Sequence, residues 1–311
     1  GHDPHSRKLT GIPGVEKRDE PGSAPDCPVA VAFDKEGQLI ILTPDELECF
    51  QRPPRGFDKT TIKLPASPSI WTPVTPCVGI EDGAALIFAR QDQLMIWRSS
   101  DPKTVTPIAP PPLPVFVENA STNGDVVPEA LRKSYRVLAA SPTGDRVYLI
   151  DTWGGFQVWR IENNAGSIVE WNDVPKTGAT TLAVSHDGKL LALADRTGSV
   201  RLIDTARGAV LSRFSTPDKE ETDSASSSIA FAPDGRELAV GTQSGVVRLW
   251  SIEDPKSPRT RIRLPGHRGY IVALVYDGAG GRLASAGLDK LIDVWDLGRL
   301  REELDALSLA W

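Results

Sequence analysis

The side chains that most often carry catalysis or bind metals are few in this sequence. It has four histidines and three cysteines, Cys27, Cys49 and Cys77, and the cysteine spacings match no zinc-binding pattern. The sequence also has no nucleophile elbow, no phosphate-binding P-loop and no His/Cys/Asp cluster with the spacing of a metal site. We therefore expect no catalytic residue, no metal and no cofactor, and we interpret the cysteines as buried or unreactive thiols in a reducing compartment.

Length and charge narrow the class of protein further. The 311 residues include 41 acidic and 35 basic side chains, and the net charge of −6 disfavours general nucleic-acid binding, which depends on neutralising phosphates. No apolar run approaches the ~20 residues of a membrane span, and the first ten residues carry no apolar segment of a secretory signal. We expect a cytoplasmic protein that binds neither nucleic acid nor membrane, with export after signal removal as the alternative.

The chain is built from an internal repeat. Six segments share an alternating apolar strand, a turn with Gly, a second strand of small apolar residues, a polar turn and a third strand: 29–50, 77–97, 135–159, 180–204, 228–250 and 271–295. The third strand closes at Phe50, Trp97, Trp159, Ile203, Trp250 and Trp295, in steps of 47, 62, 44, 47 and 45 residues. Shorter strand-like pieces follow the first five units, at 61–64, 105–109, 168–171, 209–214 and 259–264. Four short antiparallel strands in about 45 residues is the period of a β-propeller blade.

The last unit resembles a WD repeat. Gly266-His267 precedes it, Ser285 lies in its second strand, Asp289 lies in its second turn, and Trp295-Asp296 closes it. In the WD-repeat family, residues of these types form a hydrogen-bonded tetrad that pins one blade. The resemblance therefore assigns that structural role to His267, Ser285, Asp289 and Trp295. The other units lack the Gly-His pair and depart from the pattern at the Asp position.

We predict an all-β fold, a β-propeller of six four-stranded antiparallel blades, with seven blades as the alternative. Segment 1–28 is too short for a blade, and we expect it to supply the strand that closes the last one. The propeller itself is predicted to span 29–297, with an insert at 98–134. Segment 298–311 has apolar residues at helical spacing behind Asp296 as a helix cap, which predicts a short amphipathic helix. This helix is either docked on the propeller or offered to a partner, and similar tails follow the last repeat in some bacterial multidomain WD-repeat proteins.

The best candidates for binding lie in loops. The proline-rich run at 107–114 favours polyproline II conformation, either as a ligand for a proline-recognising module or as a stiff spacer. Trp153 lies in a second turn and is either an interaction hot spot or packed under the insert. The candidate partner-binding residues are Trp153, Thr152, Arg90, Arg196, Gln243, Leu288, Arg268, Pro111, Pro112 and Leu113. Their partly basic character suits a protein or peptide with some acidic character.

A propeller hosts many activities, so the fold alone does not fix the function. We expect a non-catalytic protein–protein interaction scaffold that binds on the loop face around 110–134, as a monomeric propeller or as a module of a larger assembly. One alternative is a ligand-sensing or regulatory propeller module of a larger signalling protein. A less favoured alternative is a hydrolase or lyase using the central channel. Its candidate hydroxyls are Thr180, Thr181, Ser227 and Ser228 at the starts of inner strands, without a matched base.

Overall fold

Short antiparallel strands make up almost all of the secondary structure in the computed structural model. It describes residues 30–33, 39–42, 46–51, 58–63, 77–81, 84–90, 93–111, 135–151, 153–215 and 225–307. In every sheet, strands that follow each other along the chain lie side by side. The chain is therefore a series of small meanders.

Five sheets have four strands each, and we number them blades 1 to 5. Blade 1 has β1 (Ala30–Phe33), β2 (Leu39–Leu42), β3 (Glu46–Gln51) and β4 (Asp58–Lys63). Blade 2 has β5 (Cys77–Ile80), β6 (Ala85–Arg90), β7 (Gln93–Arg98) and β8 (Asp101–Ile108). Blade 3 has β9 (Tyr135–Ala140), β10 (Arg146–Asp151), β11 (Phe156–Glu162) and β12 (Ala165–Ile168).

Blade 4 has β13 (Ala179–Val184), β14 (Leu190–Asp195), β15 (Ser199–Asp204) and β16 (Ala209–Ser215). Blade 5 has β17 (Ser226–Phe231), β18 (Glu237–Thr242), β19 (Val246–Ser251) and β20 (Arg259–Pro265). A further sheet, which we call the last sheet, has only β21 (Ile271–Tyr276), β22 (Arg282–Gly287) and β23 (Ile292–Asp296).

The number of complete blades corrects the prediction. The described residues form five complete four-stranded blades, neither six nor seven, because the last sheet has three strands. The reason lies at Asp296, which ends β23 and whose carboxylate accepts a hydrogen bond from the Arg299 N–H at 2.9 Å. A helix begins at the next residue, so the chain does not continue into a fourth strand. The predicted closing strand in segment 1–28 lies outside the described residues.

Glycines set the tight turn between first and second strands. Gly144, Gly188, Gly235 and Gly280 occupy equivalent turns with φ of 70–72°, a conformation that costs little only for glycine. Three of these turns carry the Pro-Thr-Gly, His-Asp-Gly and Pro-Asp-Gly sequences of the repeat. The turn glycines that recur in the sequence repeat are therefore the residues that reverse the chain between the first and second strands.

Apolar side chains fill the space between successive sheets. Between blades 4 and 5 the buried cluster contains Ala192, Ala194, Val200, Leu202, Ile229, Leu238, Val240 and Trp250. Between blade 5 and the last sheet it contains Ala239, Val247, Leu249, Ile271 and Leu283. Both faces of the second strands β14 and β18 are buried, which explains why these strands consist mostly of small and apolar residues.

Each inner strand from β9 onward has a bulge near its start. The extra residue, at equivalent positions, is Arg136, Thr180, Ser227 or Val272. A bulge re-aims one side chain out of the regular alternation of a strand. At Thr180 and Ser227 the re-aimed side chain lies at the boundary with the following sheet.

Helix α1 (Leu297–Ala306) is docked on the propeller. Leu297 is buried and Leu300 packs against the cluster between blade 5 and the last sheet. The Arg301 guanidinium lies 3.3 Å from the Glu237 carboxylate, which also accepts a hydrogen bond from the Tyr276 hydroxyl at 2.9 Å. Residues 308–311 of the predicted helical segment lie outside the described residues.

The start of the insert between blades 2 and 3 pairs with the outer strand of blade 3. Ala109 forms a parallel bridge with Ala165: its N–H donates to Asn164, and its carbonyl accepts from Gly166, both at 2.8 Å. Pro111 follows and is buried. The rest of the insert, 112–134, lies outside the described residues.

Candidate interaction surface

The turns between second and third strands form one face of the molecule, which we call the upper face. The loop that enters β21 lies on this face too, because the Leu288 N–H donates to the Tyr270 carbonyl at 3.0 Å. In blades 3 to 5 and the last sheet these turns are short and hydrogen-bonded internally, so they present side chains from fixed positions. Function concentrates in loops that a rigid scaffold holds in this way.

Asp195 braces the upper turn of blade 4. Its carboxylate accepts from the backbone N–H groups of Thr197 and Ser199, at 2.9 and 3.2 Å, and from the Arg201 guanidinium at 3.0 Å. Burial acts to raise the pKa of Asp195, but these hydrogen bonds outweigh it and hold the pKa below its ordinary value. The negative charge of Asp195 is thus part of the turn structure.

Asp151 braces the upper turn of blade 3, which carries Trp153. Its carboxylate accepts from the Trp153 and Gly155 N–H groups at 2.8 and 2.7 Å. The Gly154 carbonyl in turn accepts from the Ala179 N–H at 3.1 Å, which ties the turn to blade 4. The Trp153 side chain is 59% exposed. A large aromatic ring is therefore held in solvent by a braced turn.

The other predicted binding residues are distributed over the upper turns. Arg196 is exposed, Gln243 is half-buried, and Leu288 is 63% exposed. Arg268 is exposed, with its backbone N–H donating to the Asp289 carboxylate at 3.0 Å. These four residues lie on blades 4 and 5 and the last sheet, on the same face as Trp153.

Of the remaining candidate binding residues, four have side chains that the structure does not describe, and one is buried. Arg90 ends β6, and its side chain lies outside the described part of the structure, as do Thr152, Pro112 and Leu113. Pro111 is described and corrects the prediction, because it is buried at the outer edge of blade 3. A Cβ added at Gly166 would lie 3.2 Å from the Pro111 ring and 2.9 Å from the Trp159 ring, which shows how closely Pro111 is packed there. Pro111 therefore does not belong to the exposed surface.

Three members of the expected tetrad are hydrogen-bonded to one another. The His267 Nδ1 atom lies 2.9 Å from an Asp289 carboxylate oxygen, and Nε2 lies 2.9 Å from the Ser285 hydroxyl. With Nδ1–H donating to the carboxylate, Nε2 is left to accept from the hydroxyl. The Arg268 backbone N–H is the main cause that keeps the pKa of Asp289 below its ordinary value, and the bond to His267 acts in the same direction.

Trp295, the fourth expected member, is not joined to this network. Its indole Nε1 is buried and has no hydrogen-bond partner among the described residues. Gly287 explains why the His267 ring fits so closely, because a Cβ at that position would lie 2.4 Å from the ring. The network therefore links the loop before β21 to the upper turn of the last sheet.

Two of the candidate channel hydroxyls donate to backbone groups of the next sheet. The Thr180 hydroxyl donates to the Ser226 carbonyl at 3.0 Å, and the Ser227 hydroxyl donates to the Ile271 carbonyl at 2.7 Å. Both are bulge residues of inner strands. Thr181 and Ser228 are buried. The geometry gives Thr180 and Ser227 a structural role in joining blade 4 to blade 5 and blade 5 to the last sheet.

Asp151 and Asp195 were not predicted from the sequence, because the WD-repeat pattern places its Asp two residues later in each turn. The signal was present as an Asp followed at the third position by glycine, in Asp151-Thr-Trp-Gly and Asp195-Arg-Thr-Gly. Among the described residues, no group of three or more acidic, His or Cys side chains could hold a metal ion. In the same residues, no helix is long and apolar enough to cross a membrane.

Comparison with known families agrees with this architecture. The model of the WD domain, G-beta repeat, matches residues 258–296, the unit that contains the His267 network. The model of the nucleolar protein 10-like N-terminal domain, a β-propeller, matches residues 146–274. With the fold described above, these matches confirm the resemblance to WD-repeat β-propellers. Proteins of this class generally mediate protein–protein interaction.

Individual relatives and solved structures extend the comparison. Pre-mRNA-processing factor 19 homolog 2 of Arabidopsis thaliana is 32% identical over 127 residues, which cover 41% of this chain and 23% of that protein. Cell division cycle 20.1, cofactor of APC complex, from the same plant, is 30% identical over 165 residues, covering 36% of this chain and 35% of that protein. The Cps50 (Swd1) β-propeller domain of Myceliophteria thermophila has a TM-score of 0.65 at 13% identity, covering 87% of this chain and 82% of that one. This last likeness shows the fold alone.

The matched regions are short relative to the curated proteins. The chain spans 12% to 35% of the length of the curated relatives that it matches. These relatives come from plants and a slime mould. The cytoplasmic setting expected from the sequence, and the bacterial setting that the likeness of the helical tail favours, remain predictions.

Proposed function

We propose that this chain is a non-catalytic scaffold that binds a protein or peptide on its upper face, with Trp153 as the anchor. The observation that carries the proposal is the 59% exposure of Trp153 on a turn that Asp151 fixes. Tryptophan is the residue type most enriched among binding hot spots, and a rigid turn limits the entropy lost on binding. The exposed Arg196 and Arg268 on the same face suit a partner with acidic side chains.

Membership of a larger assembly forms part of the same proposal. One relative is named as a cofactor of the APC complex, and by analogy we propose that this propeller acts as one module among several. A partner bound on the upper face leaves the docked helix α1 outside the contact.

The hydrolase or lyase alternative has less support. It requires a nucleophilic hydroxyl beside a base, whereas the Thr180 and Ser227 hydroxyls donate to backbone carbonyls of the neighbouring sheet. His267, the buried histidine of the described residues, is engaged with Asp289 and Ser285. We therefore propose interaction rather than catalysis as the activity of this chain.

A parallel capture experiment tests the proposal. The wild-type protein, Trp153→Ala and Leu307→Ala serve as baits in lysate from the source cell, and recovered proteins are quantified. Leu307 is the matched control because it is 69% exposed at the position directly after α1, away from the upper turns. We expect a protein that is recovered by wild type and Leu307→Ala and lost with Trp153→Ala. Equal recovery of every protein by all three baits would contradict the assignment of Trp153.

A further inference from the structure

The turn between β19 and β20 frames a cleft at the outer edge of blade 5. The chain enters this turn at Ile252, whose N–H donates to the Arg236 carbonyl at 2.8 Å, beside the turn between the first and second strands. The cleft therefore lies at the end of blade 5 opposite the upper turns. Its volume is about 400 Å³, and its lining includes Ser251, Glu253, Asp254, Ser257, Arg259 and Arg261.

Hydrogen bonds hold this turn in place. The Ser257 N–H donates to the Asp254 carbonyl at 2.9 Å, and the Asp254 carboxylate accepts from the Lys256 N–H at 3.0 Å. The Ser212 hydroxyl of blade 4 donates to the Pro255 carbonyl at 2.6 Å, which ties the turn to the neighbouring sheet. Ser257 is exposed at the end of the turn, so its side chain is presented from a fixed backbone.

Ser257 is followed by a proline, which restricts its backbone. Pro258 has no N–H and disfavours helical conformation in the residue before it, so Ser257 is biased toward extended conformation. Protein kinases bind the acceptor residue of a substrate in an extended segment, and one class of them requires proline directly after it. Two other Ser/Thr-Pro pairs lie in the described residues, and neither is accessible in this way. Ser141 is 7% exposed with its hydroxyl donating to Asp145, and Thr106 is half-buried within strand β8.

Two arginines line the cleft in positions where they could hold a phosphate group. Arg259 is exposed two residues after Ser257. The Arg261 guanidinium donates to the Ser251 hydroxyl at 3.0 Å and lies 3.4 Å from the Glu253 carboxylate, which is largely exposed. Guanidinium groups bind phosphate oxygens through paired, charge-assisted hydrogen bonds. A phosphate on Ser257 would therefore compete with Glu253 for Arg261.

We propose that Ser257 is a phosphorylation site and that Arg259 and Arg261 hold its phosphate in the cleft. The phosphate comes from a nucleoside triphosphate bound by a proline-directed protein kinase. The bond between the Ser257 Oγ and the γ-phosphorus forms, and the bond from that phosphorus to the β,γ-bridging oxygen breaks. The nucleoside diphosphate leaves, and the hydroxyl proton passes to a base of the kinase. The added charge is about −1.5 to −2 at pH 7, and its bonds to the arginines tie the turn to β20.

Treatment of the folded full chain with ATP, Mg²⁺ and a proline-directed kinase tests the acceptor. We expect mass spectrometry to locate a phosphate on Ser257, with Ser141 and Thr106 unmodified in the same molecules. Ser257→Ala should lose this phosphate, and Pro258→Ala, which keeps the hydroxyl, should gain it more slowly. Both residues lie in a surface turn outside the buried clusters, so each variant should melt within a few degrees of wild type.

A synthetic peptide of residues 252–263 serves as the unfolded reference. If the kinase modifies the peptide and leaves Ser257 of the folded chain unmodified, the turn does not present this serine. If it modifies neither, the sequence is not a substrate. Modification of Ser141 at the same rate as Ser257 would show that the kinase acts on unfolded chains. Each of these results overturns the proposal.

Phosphorus NMR of the modified chain tests the two arginines. A phosphate held by guanidinium groups loses its second proton at lower pH than a solvated phosphoserine, whose second pKa is about 6. We expect the pKa of the Ser257 phosphate to lie below this value and to rise toward it in Arg259→Gln. Arg160→Gln, the same change at an exposed position of blade 3, should leave it unaltered. Equal pKa values in all three proteins would overturn the assignment of the arginines. These measurements use no binding partner, so their outcome is independent of binding at Trp153.

Discussion

The Ser227 hydroxyl of β17 donates to the Ile271 carbonyl of β21 at 2.7 Å, across the boundary between blade 5 and the last sheet. Thr180 makes the equivalent bond one blade earlier. In β13 and β17 the bulge re-aims a hydroxyl from its own sheet to the next one. Inter-blade adhesion is therefore partly polar, in addition to the apolar clusters between sheets.

This relationship predicts that Ser227→Ala lowers the free energy of unfolding by about 1 kcal/mol, the net value of a typical hydrogen bond, and more if the Ile271 carbonyl is left buried without a donor. Urea unfolding followed by circular dichroism measures the change. Ser167→Ala is the control, because Ser167 is exposed on the outer strand β12. An unchanged midpoint for Ser227→Ala would mean that the bond contributes nothing net to stability.

The buried His267 network predicts a larger effect. His267→Ala removes the group that bonds both Asp289 and Ser285, and it leaves a cavity beneath the upper turn, so we expect a loss of about 2–4 kcal/mol in unfolding free energy. His186 is exposed in a lower turn, and His186→Ala should change stability by less than about 0.5 kcal/mol. Similar losses for the two variants would show that the network is dispensable.

The lowered pKa of Asp195 predicts that the stability of the fold depends on pH in the acid range. Its pKa is lower in the folded chain than in the unfolded one, so the charged carboxylate stabilises the fold at pH values above its unfolded pKa of about 3.9. That stabilisation is lost as pH falls from there through the folded pKa. We expect Asp195→Asn to be less stable than wild type at pH 7 and to lose less stability between pH 5 and pH 3. If denaturant titrations showed wild type and Asp195→Asn losing equal stability between pH 5 and pH 3, the stabilising role of the Asp195 carboxylate would be wrong.

The docking of helix α1 predicts different roles for two arginines. Arg301→Met removes a charged donor from the buried Glu237 carboxylate and should destabilise the protein by about 1–3 kcal/mol. Arg299 pairs with Glu303 in solvent, and Arg299→Met should leave the melting temperature close to that of wild type. Thermal unfolding of the two variants side by side makes the comparison. A larger effect at Arg299 would place the helix contact elsewhere.

Most of the fold could be predicted from the sequence because it depends on local signals repeated many times. The turn glycines, the small apolar second strands and the closing aromatic residues each recur at equivalent positions of successive blades. Asp296 caps the C-terminal helix, as predicted. One outer strand was misplaced: β12 covers 165–168 instead of 168–171. Asn163 and Asn164, both at positive φ, form a two-residue turn that starts the strand at once.

The candidate surface was harder to predict because exposure depends on tertiary neighbours. The burial of Pro111, for instance, depends on a strand in another blade. Trp153 could be found because tryptophan in a glycine-rich turn is unusual whatever surrounds it.

The most direct test of the central claim is the dissociation constant of the purified partner for wild type, Trp153→Ala and Leu307→Ala, measured by isothermal titration calorimetry. If the upper face around Trp153 is the binding site, loss of this anchor should weaken binding about 30-fold or more, equivalent to a hot-spot loss of about 2 kcal/mol. Leu307→Ala should bind like wild type. Equal affinity for wild type and Trp153→Ala would contradict the account and remove the upper face around Trp153 as the binding site.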